Sequence, residues 1–281
     1  MRLQAWISFG LLAIATTGLA SWTAGLARPG PAAVKVAQAG EEVDVELVLA
    51  VDISYSMDTD EQQLQREGYA VALASREFLQ ALKEGIHGKV AITYVEWAGA
   101  FDQRVVVPWR AIDGPESADS FAADILRAPY RRASRTSISG ALGFSKSLFE
   151  TSGFKGVRRV IDVSGDGPNN NGPALNVVRD EVVAAGITIN GLPIMLNRPN
   201  TYGFGDIEHL DQYYEDCVVG GPGAFVVPVR GRDKFKEATR TKLVLEIAGL
   251  QPEPKVIPAA TTPPRVPCNI GERQWRDRWQ N

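Results

Sequence analysis

The residues best suited to chemistry gather where one apolar run ends. "LVLAVDISYSMD", Leu47 to Asp58, leads five apolar residues into Asp52 and then sets Ser54 and Ser56 at alternate positions behind it. In an extended loop every second side chain faces the same way, so these three oxygen-bearing groups share one side. Hydroxyls and a carboxylate without His or Cys suit a hard cation such as Mg²⁺, held octahedrally at about 2.1 Å with some waters retained. Asp-x-Ser-x-Ser alone is a common chance match, so its place in the fold must decide. Two later residues fit the same chemistry: Thr136 ahead of a helix in "SRTSISGAL", and Asp166 in "VSGDGPNNNG" after the strand "VIDVS".

The elements around these residues alternate. "VDVELVLAVD" reads as a buried strand rich in Val and Leu. Asp58 and Thr59, each followed three residues later by Glu61 or Gln62, open a helix. That helix carries Leu64, Val71, Ala74, Phe78 and Leu82 on one face. "KVAITYVEWA" is a second strand and "QRVVVPW" a third, placed at an edge by Pro108. Helices over 116–127 and 137–150 precede the strand "VRRVIDVSGDG". A helix at 173–185, the strand "ITINGLPI", a helix at 206–217, a last strand "GAFVVPV" and a helix at 232–248 follow. This pattern predicts an α/β fold: a doubly wound, mostly parallel central sheet with helices on both faces and one antiparallel edge strand. Ligands of such sheets bind beyond the carboxyl ends of the strands. If the first strand and "VIDVS" are neighbours, all five oxygens meet in one crevice.

The 281 residues, 44% hydrophobic and 22% charged, suffice for a sizeable core, and the net charge of −3 gives no electrostatic case for nucleic acid. Residues 1–39 read as an export signal: Arg2, then an uncharged, mostly apolar run from Leu3 to Ala27, with small-x-small cleavage sites at Gly18-Leu19-Ala20, Gly25-Leu26-Ala27 and Ala37-Gln38-Ala39. The run is also about long enough to span a bilayer, so an uncleaved N-terminal anchor is the competing reading and the one route to membrane attachment. Either way the chain is expected outside the cytoplasm, periplasmic or secreted. Removing 1–39 takes away Arg2, Arg28 and Lys35 and no acids, which moves the net charge from −3 to −6. In an oxidising compartment the two cysteines, Cys217 and Cys268, suggest one disulfide, against two free thiols. Residues 43–248 form the domain, and the Pro-rich stretch 249–281 reads as an extended tail that such a bridge would pin back.

"VLAVDISYSM" resembles the first motif of the von Willebrand factor A-type domain, whose metal-ion-dependent adhesion site pairs Asp-x-Ser-x-Ser with a distant Thr and a later Asp. By that resemblance the metal site is Asp52, Ser54, Ser56, Thr136 and Asp166, and the cofactor Mg²⁺, Mn²⁺ or Ca²⁺. "CVVGGPGAFV" and "VSGDGPNNNG" carry a closer likeness to exported bacterial von Willebrand A-like proteins without an assigned function. The resemblance implies that Ser54, Ser56 and Thr136 touch the metal while the aspartates act through water. Neutral ligands leave the cation's charge undercompensated, which draws an Asp or Glu carboxylate from a protein partner. The motif departs from the usual pattern in three places. Tyr55 stands for a Gly, Ser134-Arg135-Thr136 for Gly-Gly-Thr, and Gly165-Asp166-Gly167 for Thr-Asp-Gly. Tyr55, Trp97 and Arg135 are the expected partner-binding rim, with Arg131 and Arg132 either flanking the cation or solvated.

Enzyme readings find less support. A haloacid-dehalogenase-like phosphatase needs a second Asp where Ser54 stands, and "VSGDG" lacks Gly-x-Ser-x-Gly because position 162 is Asp. His87 and His209 have no recognisable partner and read as surface or packing residues. The Gly-rich "SGDGPNNNG" lacks both Gly-x-Gly-x-x-Gly and a Lys-Ser/Thr phosphate loop, so Asn169, Asn170 and Asn171 read as turn formers. A binding module is therefore favoured, with a hydrolase using the same metal site as the alternative.

Overall fold

The computed structural model describes residues 40–196, 207–250 and 266–279, so the expected leader at 1–39 lies outside the described residues. Among the described residues no helix is long and apolar enough to cross a membrane. Five strands form the sheet: β1 (Glu41–Asp52), β2 (Val90–Trp97), β3 (Gln103–Ile112), β4 (Phe154–Gly165) and β5 (Ile187–Pro193). Their spatial order is β3-β2-β1-β4-β5. All pairs are parallel except β2 with β3, which are antiparallel. Pro108 sits in edge strand β3 where the register shifts, a place that needs no N–H for the ladder.

The apolar run of β1 is continuous because both faces are buried. Val45, Leu47, Leu49 and Val51 face one hydrophobic cluster, and Val48 and Ala50 face the other. The first cluster is covered by α1 (Thr59–Leu73), α2 (Arg76–Lys83), α3 (Pro115–Arg127) and α7 (Phe235–Ala248). The second is covered by α4 (Ile138–Leu148), α5 (Leu175–Ala184) and α6 (Leu210–Tyr213). Since β2 follows β1 on one side and β4 joins it on the other, the winding reverses between β1 and β4. Their carboxyl ends open the crevice where such folds take ligands.

Three expectations are corrected. The helix expected from Thr59 through Leu82 is two: Ser75 caps α2 by accepting from the Phe78 N–H at 3.2 Å, and the chain turns there. "GAFVVPV" is not a strand. It meets β5 only as single bridges, Val226 with Gly191 and Val229 with Ile194. Pro228 between them has no N–H to extend a ladder, and Gly221 just before the segment and Gly223 at its start take positive φ, 94° and 73°. The tail is not wholly extended, because its end folds into α8 (Ile270–Trp279).

Cys217 and Cys268 form a disulfide across a sequence separation of 51 residues. It anchors the start of α8 beside the buried turn that follows α6. Cys268→Ser is therefore expected to leave the sheet intact while the α8 amides lose most of their hydrogen-exchange protection. Undiminished protection there would show that side-chain packing alone seats the helix.

Candidate metal centre

The three segments expected to carry the site converge at that crevice. At the tip of β1, Asp52 is fully buried and its Oδ1 accepts from the Ser54 N–H at 2.7 Å, which turns the chain so that Ser54 and Ser56 follow on one side. The Ser54 and Ser56 hydroxyls lie 2.7 Å apart, and Ser56 donates to Asp166 Oδ1 at 2.6 Å. Asp166 enters directly from the end of β4, the neighbour of β1.

Thr136 arrives by a different device. The loop before α4 zips onto the loop after β1, with Ser54 bridging Ala133 and the Ala133 N–H donating to the Ile53 carbonyl at 3.1 Å. The Ser137 N–H donates to the Ala98 carbonyl at 2.7 Å, and the Ser137 hydroxyl then caps α4. Ser54, Ser56 and Thr136 consequently line one pocket of about 260 Å³. Neither His87 nor His209 lines it.

The three asparagines do more than shape a turn. Asn170 Oδ1 accepts from the Thr136 N–H at 3.0 Å, and the Asn170 N–H donates to the Thr136 carbonyl at 2.8 Å. Asn169 Oδ1 accepts from the Ser139 N–H at 3.0 Å, and Asn171 Oδ1 from the Ala100 N–H at 2.8 Å. Each clips the β4 loop to a neighbouring segment, so Thr136 is held from both of its backbone groups. The signal was present as three consecutive amide side chains just after Asp166.

One atom is out of balance. Asp52 Oδ2 is buried with no hydrogen-bond partner. Burial pushes the Asp52 carboxyl up to about 7, against the Ser54 and Asp166 hydrogen bonds that pull it down. Buried polar atoms are nearly always partnered, so an orphan beneath a cluster of hydroxyls is where a cation would fit. Gly165 explains one departure from the usual motif: a Cβ there would stand 2.9 Å from Asp52 Oδ2 and 3.0 Å from the Tyr214 hydroxyl. Among the described residues no three His, Cys, Asp or Glu side chains gather as a metal cluster, so this candidate rests on hydroxyls.

The rim is partly as expected. Tyr55 is 59% exposed at the pocket mouth, with the Arg132 guanidinium 5.4 Å from its ring centroid. Trp97 is corrected: it is fully buried in the α4–α5 cluster, because it shares the inward face of β2 with Val95. Arg131 pairs with Asp102 at 2.9 Å. Arg135 lines the pocket and is the one non-glycine residue at positive φ, 75°, among those described. That conformation costs an L-residue about 1–2 kcal/mol. Its guanidinium lies 3.5 Å from the centroid of the Trp275 ring, and such a contact returns about 0.5–2 kcal/mol.

Trp275 is a pocket residue that the sequence did not reveal. It comes from α8, which sits against the β4 loop: Asn169 donates to Glu272 at 2.7 Å, and a Cβ on Gly271 would stand 2.2 Å from the Asn169 carbonyl oxygen. Only glycine permits that approach.

A family model described as a protein of unknown function (DUF1194) matches residues 42–251, three quarters of the chain. The chain belongs to that family. No curated protein matches it significantly. Among solved structures it is similar to proximal thread matrix protein 1 of the mussel byssus with a zinc-occupied MIDAS motif. That match has a TM-score of 0.55 and 14% identity, over 74% of this chain and 49% of that one. It is also similar to a von Willebrand factor type A protein from Catenulispora acidiphila, with a TM-score of 0.50 and 14% identity over 73% of this chain and 43% of that one. The pilus adhesin SpaC of Lactobacillus rhamnosus GG matches with a TM-score of 0.54 and 14% identity, over 75% of this chain and 31% of that one. The DUF1194 chain thus spans less than half the length of each of these proteins, and its fold is that of a von Willebrand factor A domain.

Proposed function

We propose that this protein is an exported, non-enzymatic binding module. It holds one divalent cation through Ser54, Ser56 and Thr136, supported by Asp52 and Asp166, and offers it to an Asp or Glu carboxylate of a protein partner. The observation that carries the metal is the buried, unpartnered Asp52 Oδ2 below the Ser54–Ser56–Asp166 hydrogen-bonded chain. The hydroxyl-rich donor set favours Mg²⁺, with Mn²⁺ or Ca²⁺ as substitutes, and the zinc at the MIDAS motif of the mussel protein supports a divalent ion in this fold. The Cys217–Cys268 disulfide supports a compartment outside the cytoplasm.

A cation held there would supply positive charge that neutral hydroxyls do not cancel, and so would attract a partner's carboxylate. The chain's own residues orient the hydroxyls: Asp52 through the Ser54 N–H, Asp166 through Ser56, and Asn170 through the Thr136 backbone. Calorimetry with Mg²⁺ and Mn²⁺ is expected to give one site per wild-type chain and none for Asp52→Ala. Equal binding by both proteins would remove Asp52 from the site and the metal reading with it.

A further inference from the structure

Part of the pocket wall is Trp275 of α8, which lies beyond the span 42–251 that the family model matches. At about 260 Å³ the pocket lies just below the range of small-molecule sites, roughly 300–1,000 Å³, and so suits a small compound or one chain end. Its lining combines the hydroxyls of Ser54, Ser56 and Thr136 with Arg135 and Trp275, which are stacked on each other. Among the described residues Arg135 joins no ion pair, while Arg131 is taken up by Asp102 and Arg132 donates to the Tyr55 carbonyl at 2.6 Å. A guanidinium stacked on an indole keeps its in-plane N–H donors free for a planar, two-oxygen acceptor. The backbone at Arg135 is also left-handed, where glycine would sit without strain. Strain of this kind persists where surrounding contacts hold it, and it concentrates at ligand sites.

We infer that the pocket takes a ligand with two carboxylates, one directed to the hydroxyls and the second held by Arg135, whose fork Trp275 keeps in place. This rests on the metal reading above. The dicarboxylate is either a small free compound or the end of a protein chain whose last residue is Asp or Glu, which carries both groups. Trp275 and Arg135 are then specificity-determining residues, and α8 is the element that tells one carboxylate from two.

The test uses the full chain, with Mg²⁺ occupancy measured first by calorimetry for each variant. Ligand-observed NMR then compares glutarate, butyrate and the peptide acetyl-Gly-Gly-Glu with its C-terminal carboxylate free. Glutarate is expected to bind about tenfold or more tighter than butyrate, as a charge-assisted bidentate contact does over none. Arg135→Gly, which the left-handed backbone accepts, is expected to bring that ratio close to one, and Trp275→Ala to reduce it. Because the ratio is internal to each protein, a change in metal affinity does not mimic the effect. A peptide that outbinds glutarate identifies a chain end as the source, and glutarate binding as tightly or more tightly identifies a free compound. Equal binding of glutarate and butyrate to Mg²⁺-loaded protein overturns the inference and leaves the metal reading standing. No Mg²⁺ binding at all overturns both.

Discussion

Lys242→Met is expected to lower the stability of the fold by about 3–5 kcal/mol at pH 8, the scale of breaking a buried ion pair. Lys242 on α7 is fully buried, with Nζ 2.6 Å from Asp162 on β4 and 2.5 Å from Glu246 one turn along its own helix. Asn190 on β5 donates to Glu246 at 3.0 Å, and the buried Tyr69 of α1 and the half-buried Arg158 of β4 complete the surroundings. One ammonium thus faces two carboxyls in a dry interior. Burial, and then repulsion from Asp162, raise the Glu246 carboxyl to about 7, and burial raises Asp162 as well.

The sign of the pH dependence follows from those shifts. Between the ordinary value of 4.5 and about 7, the folded state holds a proton on Glu246 that the unfolded chain has lost. The stabilisation is fully present below about 4.5 and is lost as pH rises through 7. Glu246→Gln should therefore flatten the fall in stability between pH 5 and 8 while keeping the Lys242–Asp162 pair. Lys242→Met should cost less at pH 5 than at pH 8, because both carboxyls can then be neutral. Urea unfolding of the three proteins at both pH values checks this, and a penalty for Lys242→Met that does not change with pH would mean that the cluster does not titrate.

The same cluster shows where sequence reading stops. Asp162 was legible only as the residue that breaks a Gly-x-Ser-x-Gly match, since nothing local says that a charged side chain in a parallel strand will find Lys242, eighty residues later, on a helix packed above it. The sheet itself was legible because its cause is local: residues 47–51 and 160–163 are apolar at every position except Asp162, as a strand buried on both faces requires. The candidate site was legible for a related reason. Asp52, Ser54, Ser56 and Asp166 stand at strand ends, and strand ends meet once the order of the sheet is known.

What escaped depends on which face a residue takes or on contacts made late in the chain. Trp97 lies opposite Asp52 in the β1–β2 register, yet the pleat turns it into the core and away from the expected rim. The alternation with Val95 was the available signal. α8 escaped because "IGERQWRDRWQN" follows a Pro-rich stretch and is mostly polar. Its seat is set by Gly271 against the Asn169 carbonyl, by Glu272 and by a disulfide, and none of these has a periodic signature.

Removing the cation is expected to lower the melting temperature by roughly 5–10 °C without unfolding the protein. A ligand at a hundredfold excess over its dissociation constant adds about 2.7 kcal/mol, and a domain of this size shifts by about 2–4 °C per kcal/mol. The fold should survive because β1 and β4 bury themselves between two apolar clusters that contain no site hydroxyl. The loop after β1 keeps its own support in EDTA, from the Ser54 N–H to Asp52 and the Ala133 N–H to Ile53. What a bound metal would add is a partner for Asp52 Oδ2, a buried oxygen of a carboxyl that burial raises to about 7. Ser54→Ala removes a ligand but neither carboxylate, so its melting temperature in EDTA should stay near that of the wild type in EDTA and should not rise with Mg²⁺. Four melting curves, two proteins each with EDTA and with Mg²⁺, decide the point. A full Mg²⁺ shift in Ser54→Ala would take Ser54 out of the coordination shell. Complete unfolding of the wild type in EDTA would make the ion a structural one, whose role is to hold the crevice together rather than to present a charge to a partner.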